Sequence, residues 1–363
     1  MKKTIASIAF AAVSATAPAT DLYVGAGKTF TTVQAAVDRA AELAPAGEAD
    51  RVVIHIAPGV YREQVSVRTP YVSFVNDSPD AEARITWYYG IGYKYYSVNA
   101  DGVYDGASAK SRSAKRTPSH RWGATVLLAR EAAHFRARGV VFENSFSRYV
   151  TEEELADGVE PDGNDAVSRI SFVRKAGADV ASRAAKERAA ALATDAPDAA
   201  FEGCSFLSGQ DTLYVGASPS RFADCLVEGN TDYIFGDADA VFERCELRFR
   251  GNSDVPHGGV VTAVRDDADD DGGFVFRSCR ITRLKGMKHR PGHLGRPWRV
   301  SAKVQFIDTV VEDEKTIDPS GWTSMSGVQP EQVEGFRETG TRYSDGRAVD
   351  LSRRRVYQPK KAL

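Results

Sequence analysis

The chain has 363 residues, 42% hydrophobic and 26% charged, with 47 Lys and Arg against 49 Asp and Glu. That length can enclose a substantial core, and its near-balanced charge offers no basic field for nucleic acid. Four Cys without a C-x-x-C pair, and no H-E-x-x-H or G-x-S-x-G, argue against a metal cluster and against an α/β-hydrolase. No cofactor or metal is expected, and nothing suggests more than a monomer.

The N-terminus reads as a secretory signal. Lys2 and Lys3 precede the apolar stretch Ile5 to Val13, and the small-residue run Ser14 to Ala19 follows. The apolar run is about half the length of a membrane span, so no membrane association is expected. Residues 1–19 are therefore expected to be removed on export to an extracellular or periplasmic space. The remaining chain, 20–363, carries 45 cations against 49 acids and is read as one domain.

Val33, Ala36, Val37, Ala40 and Leu43 recur at helical spacing, which predicts a helix over 31–44. Arg51 to Ile56 reads as the first strand, ended by Pro58-Gly59. Two long excursions follow. The first, near 88–122, joins a Tyr cluster (Tyr88, Tyr89, Tyr93, Tyr95, Tyr96) to Lys110, Arg112, Lys115, Arg116, His120 and Arg121. A solvated loop is the simpler reading of those cations, and attraction of an anionic polymer is the functional one. The second excursion, near 147–187, contains Thr151-Glu-Glu-Glu154, a candidate capping box.

One phrase then repeats: Phe201-Glu-Gly-Cys204, Phe222-Ala-Asp-Cys225, Phe242-Glu-Arg-Cys245 and Phe276-Arg-Ser-Cys279. Its first intervals are 21 and 20 residues, and its alternation of apolar and polar positions is that of strands. Short strands at this period suit a single-stranded, right-handed parallel β-helix, with the helix at 31–44 as an N-terminal cap. Equal phase means adjacency in such a stack. Cys204, Cys225 and Cys245 should form an inward ladder of free thiols, because parallel Cβ vectors about 4.8 Å apart do not suit a disulfide.

Asp211 and Asp232 each lie ten residues after a repeat Phe, so they share one phase on neighbouring coils. Two acids that close titrate as a pair, one holding its proton to higher pH, which supplies an acid beside a nucleophile or base. Spacing alone leaves open surface turn residues, ester hydrolysis and a retaining glycosidase.

The surrounding residues narrow this. Gly209-Gln210-Asp211-Thr212-Leu213-Tyr214, Thr231-Asp232-Tyr233-Ile234-Phe235-Gly236 and Leu294-Gly295-Arg296-Pro297-Trp298 together resemble the signatures of pectin methylesterases. Supporting matches are Gly59-Val-Tyr61-Arg-Glu63, Phe30-Thr-Thr-Val-Gln34 and Gly321-Trp322-Thr-Ser-Met325. The resemblance runs from about residue 22 to the C-terminus in the family's order. It implies a parallel β-helix, and hydrolysis of the C6 methyl ester of galacturonate in pectin. By motif position, Asp232 matches the nucleophile, Asp211 the general acid and base, and Arg296 the arginine that orients Asp232 and keeps its pKa low. Gln210 matches one oxyanion-stabilising glutamine. Trp298, Tyr214, Phe235, Thr231 and Met325 match positions lining the sugar cleft.

One position departs from the family. Where a second oxyanion glutamine is expected, thirteen residues before Phe201, the chain has Arg188. Its guanidinium can donate to an oxyanion, or pair with Asp211 or Asp232 and alter their protonation. The change leaves room for an esterase or thioesterase on another acyl group. A non-catalytic uronate-binding β-helix is a third reading, disfavoured because adjacent like charges do not help bind a polyanion.

Overall fold

The computed structural model describes residues 20–111, 113, 115–116, 123–161, 175–182, 187–265 and 272–358. The signal segment lies outside them, as do Arg112, His120, Arg121 and much of the second excursion.

The repeating phrase becomes a coil for a steric reason. Its Phe is the last residue but one of a strand, as in Ser220–Ala223, and its Cys leads into the next, as in Leu226–Gly229. Between them stands one residue in the left-handed conformation: Gly203, Asp224, Arg244 and Ser278 have φ of 59°, 54°, 54° and 52°. That residue turns the chain and returns the following side chain to the interior. A third strand, such as Ile234–Gly236, completes the coil.

Repetition builds three parallel sheets of ten, nine and seven strands, each running in chain order, which is the signature of a parallel β-helix. Coils therefore stack about 4.8 Å apart. The register pairs Phe201 with Phe222, Phe222 with Phe242, Phe242 with Phe276, and Phe276 with Phe306. These rings stack at centroid distances of 4.8, 4.5, 4.6 and 4.6 Å. Offset stacking of buried rings adds to the gain from removing their surface from water. Cys204, Cys225 and Cys245 line the interior beside them as free, buried thiols, as expected, and Cys279 extends the row. The Sγ of Cys225 and Cys245 donate to the Phe201 and Phe222 carbonyls at 3.5 and 3.4 Å.

Helix α1 spans Val33–Leu43, with Val33, Ala36, Val37 and Ala40 buried. It packs on the strands Thr20–Val24, Val52–Ile56 and Val65–Val67. Its first three N–H groups each find a side-chain acceptor: Thr32 accepts from Ala35 at 3.3 Å, and Glu63 accepts from Val33 and Gln34 at 2.7 and 2.9 Å. Glu63 thus places a carboxylate on the positive end of the helix dipole. This accounts for Glu63 in physical terms: it fixes the helix to the first coil.

In the first excursion, Tyr88, Tyr89, Tyr93 and Tyr95 are buried with Trp87 and Phe146 in a core of their own. Helix α2, Glu152–Asp157, starts at Thr151, whose hydroxyl accepts from the Glu154 N–H at 3.2 Å. Asp157 accepts from Ser97 N, Ser97 Oγ and Tyr88 Oη at 2.7, 2.6 and 3.0 Å, joining the second excursion to the first.

Candidate active site

The seven-stranded sheet carries the acid pair. Asp211 stands two residues before the strand Leu213–Val215, and Asp232 two before its neighbour Ile234–Gly236. The register Leu213 to Ile234 sets the two acids opposite one another on adjacent coils. The Asp211 N–H donates to the Thr231 carbonyl at 3.0 Å, joining the coils at this point. Both acids have left-handed backbones, with φ of 60° and 50°. Asp tolerates this region better than most residues, because its short carboxyl bonds locally.

Both residues are nearly buried, at 8% and 4% exposure. Their surroundings drive them apart. Burial, reinforced by the Asp232 charge, pushes Asp211 up to about 8, while Arg188, Gln210 and Arg296 pull the other way. Asp232 has a dedicated cation: Arg296 donates through Nε to Oδ1 at 2.7 Å and through Nη2 to Oδ2 at 2.6 Å. This two-point fork leaves each oxygen a further lone pair. The expected low pKa for Asp232 does not survive. Burial outweighs Arg296 and leaves this carboxyl above its ordinary value. The paired guanidinium still favours the ionised form of Asp232, so at neutral pH the proton of the pair belongs on Asp211.

Register explains how Arg296 arrives. Tyr214, Phe235, Ala263 and Arg296 align on four successive strands of this sheet. Ala263, with no side chain beyond Cβ, leaves the space through which Arg296 reaches back two coils to Asp232. Tyr214 and Phe235 are buried, with ring centroids 5.2 Å apart. Half-buried Trp298 and Met325 pack against them, with Trp298 6.4 Å from Phe235. These aromatic residues therefore form one wall beside the acids. Gln210, half-buried, hydrogen-bonds Asp211 through its side chain. Arg188 is exposed, bridges to Gln210 through the backbone, and exerts its charge on Asp211. Thr231, half-buried, approaches His257 Nε2 at 3.5 Å through its hydroxyl. All ten residues singled out in the sequence lie on this sheet or at its margins.

Two features escaped sequence reading. Asp237 accepts from Tyr214 Oη at 3.1 Å and from Arg265 at 2.5 Å, and the Arg265 guanidinium lies 5.2 Å over the Trp298 ring. On the adjoining sheet, Glu143 and Glu228 are buried carboxylates. Arg148 bridges them, at 3.1 Å from Glu143 and 2.5 Å from Glu228, and Arg84 and Arg248 add contacts at 3.0 and 2.9 Å. Those cations hold both acids below the usual carboxylate range against the effect of burial. Thr212, the residue after Asp211, donates its hydroxyl to the Glu228 carbonyl at 3.1 Å, which ties this network to the site. The sequence signal for the cluster was present but weak: charged residues next to the core-facing Phe142 and Val227, on the outward face of their strands, with partners one or more coils away.

Among the described residues, no three His, Cys, Asp or Glu side chains form a group able to hold a metal ion. None of the described helices is long and apolar enough to cross a membrane.

Comparison with known proteins agrees with this architecture. A probable pectinesterase A of Aspergillus niger is 37% identical over 145 residues, which cover 39% of this chain and 42% of that protein. Pectinesterase/pectinesterase inhibitor 3 of Arabidopsis thaliana is 29% identical over 316 residues, covering 85% of this chain and 42% of that one. The chain thus spans only about two-fifths of the curated relatives it matches, 42% and 42% in these two. Among solved structures, the carrot pectin methylesterase superposes with a TM-score of 0.65 at 24% identity, covering 94% of this chain and 87% of that chain. A pectin methylesterase in complex with a hexasaccharide gives 0.67 at 24% identity, covering 95% and 94%. At that identity these likenesses establish the fold. The pectinesterase family model matches residues 162–358, more than half of the chain, and the chain belongs to the pectinesterase family.

Proposed function

We propose that the protein is an exported esterase hydrolysing the C6 methyl ester of galacturonate in pectin, giving pectate and methanol. Residues 1–19 serve as its signal peptide and residues 20–363 as one catalytic domain. The observation that carries the reading is a carboxylate clamped at two points by Arg296 beside an acid whose pKa is raised to about 8. A clamped, ionised Asp232 is a nucleophile, and a protonated neighbour is the acid its leaving group needs.

In this reading an Asp232 oxygen bonds to the C6 carbonyl carbon. The electron pair displaced to the carbonyl oxygen meets N–H donors from Gln210 and Arg188, as an oxyanion requires. Collapse breaks the bond to the methoxy oxygen, and methanol departs with the Asp211 proton. The ionised Asp211 then takes a proton from water, whose oxygen attacks the acyl carbon and frees Asp232. The cycle restores both carboxyls and calls on no metal or cofactor. Trp298, Tyr214, Phe235, Thr231 and Met325 form the wall against which the sugar chain is held, flat rings suiting pyranose faces. A solved pectin methylesterase of the same fold was captured with a hexasaccharide, which supports an oligosaccharide as the substrate.

The test is product analysis with purified protein. Methanol released from methylated pectin, with little acetate from acetylated pectin, is the expected result. Acetate alone would move the assignment to another acyl group, and neither product would leave a binding protein.

A further inference from the structure

Resting on the reading above, we propose that Arg354 is a positioning residue for hydrolysis: it clamps the loop that bounds the strand of Arg296, and thereby holds the Arg296 fork on Asp232. The strand His293–Pro297 is the last of the seven-stranded sheet, so one of its edges has no neighbouring strand among the described residues. That edge is covered by the loop that follows Val310–Val311. There the Leu294 N–H donates to the Gly321 carbonyl at 2.7 Å, and the Thr323 N–H to the Gly295 carbonyl at 3.1 Å. These bonds fall two residues and one residue before Arg296. The placement of the loop therefore sets the placement of the fork.

The loop is held in two ways. Its Trp322 is fully buried and stacks on Phe336 with ring centroids 4.1 Å apart. The C-terminal segment supplies the second hold. Arg354 donates through Nε and Nη2 to the Glu338 carboxylate at 2.8 and 3.1 Å, and through Nη1 to the Asp318 and Pro319 carbonyls at 3.2 and 3.0 Å. One planar group thus ties the strand Gly335–Thr339 to the loop. The turn is shaped to receive it: Gly321 has a left-handed φ of 68°, and a Cβ there would lie 2.4 Å from Arg354 Cδ. Arg355 continues the clamp, its N–H donating to the Ser320 carbonyl at 2.8 Å and its guanidinium to Glu331 at 2.7 and 3.0 Å. The side chains of Arg354 and Glu338 are only 4% and 3% exposed. A buried ion pair is a weak source of net stability. What this one supplies is geometry, on which a two-point bond to Asp232 depends.

The test uses the full-length mature protein and two variants. Arg354→Lys keeps a charge opposite Glu338 but cannot make the same set of bonds. Arg354→Met combined with Glu338→Leu removes both charges, so no unpaired carboxylate is left buried and the fold is retained. Hydrogen exchange needs no turnover. In both variants it should be about ten-fold faster at the Leu294 and Thr323 N–H groups, and unchanged at Leu213, which bonds to Tyr233 between the coils of the acid pair. On methylated oligomers, kcat should fall about ten-fold while KM stays within about two-fold. The acid limb of the kcat/KM profile should move to higher pH, because a loosened Arg296 favours the ionised Asp232 less. A change that only lowered the amount of folded protein would scale the profile and leave the limb in place. Unchanged exchange at Leu294 would overturn the proposal, and so would faster exchange with kcat and the limb as in the wild type. Failure of the wild type to release methanol would instead overturn the esterase reading, with exchange at Leu294 still deciding whether Arg354 holds the loop.

Discussion

Replacing Asp211 by Asn should make the protein inactive and more stable, by an amount that depends on pH. The folded protein raises Asp211 from an ordinary 3.8 to about 8, chiefly through burial and secondly through the Asp232 charge. Folded protein then binds this proton more tightly than the unfolded chain. The stability contributed by the carboxyl is complete below pH 3.8 and is lost as pH rises towards 8. Asn keeps the shape and an amide for Gln210, and never ionises. The stability gap between variant and wild type should be near zero at pH 3.5 and widen by about 1.4 kcal/mol per pH unit between 4 and 8. At pH 7 it reaches about 4 kcal/mol as an upper bound, since Asn does not reproduce every contact of the protonated acid. Urea unfolding of both proteins at each integral pH from 4 to 8 measures the gap, and ionisations common to both cancel. A gap that does not vary with pH, or a variant less stable than wild type at pH 7, would refute the assignment of the raised proton to Asp211.

The same proton sets a catalytic limb. kcat/KM should fall as pH rises through about 8, where the acid loses its proton, and a pH–rate profile on methylated oligomers reads it. Arg296→Lys should lower kcat by about 100-fold while circular dichroism stays native, because a point charge cannot make the two bonds to Asp232. Glu63→Ala should cost about 1–2 kcal/mol in unfolding free energy, by removing the carboxylate at the start of α1, with methanol turnover retained.

Much of this molecule was legible in the chain because a coil is a local unit. The Phe-x-x-Cys phrase encodes a strand end, a left-handed corner and an inward side chain within four residues, so reading it once gave the stack and the phase of Asp211 and Asp232. The chemistry of Arg296 needed the resemblance, since its partner lies 64 residues earlier and only the alignment over Ala263 brings them together. Asp237 and Arg265 stayed hidden for the same reason. Nothing in the local sequence says that residues 28 apart share one position on neighbouring coils when the intervening loop is irregular. Glu143 and Glu228 read as ordinary strand carboxylates until Arg148, which leaves the regular coil after Phe146, is seen between them. That one acid of the pair keeps its proton was legible in the spacing, which one it is came from the resemblance, and the absolute level was not legible at all. Arg296 alone suggests a depressed Asp232, and only the depth of burial reverses that.

The central claim is that Asp232 carries the bond-making step. Its most direct test is methanol release by purified Asp232→Asn, an isosteric change that keeps a hydrogen-bond acceptor before Arg296, with native circular dichroism required of the sample. The expected result is release at the background rate from methylated oligomers that the variant still binds, because a neutral amide is a poor nucleophile. Methanol release near the wild-type rate would contradict the account.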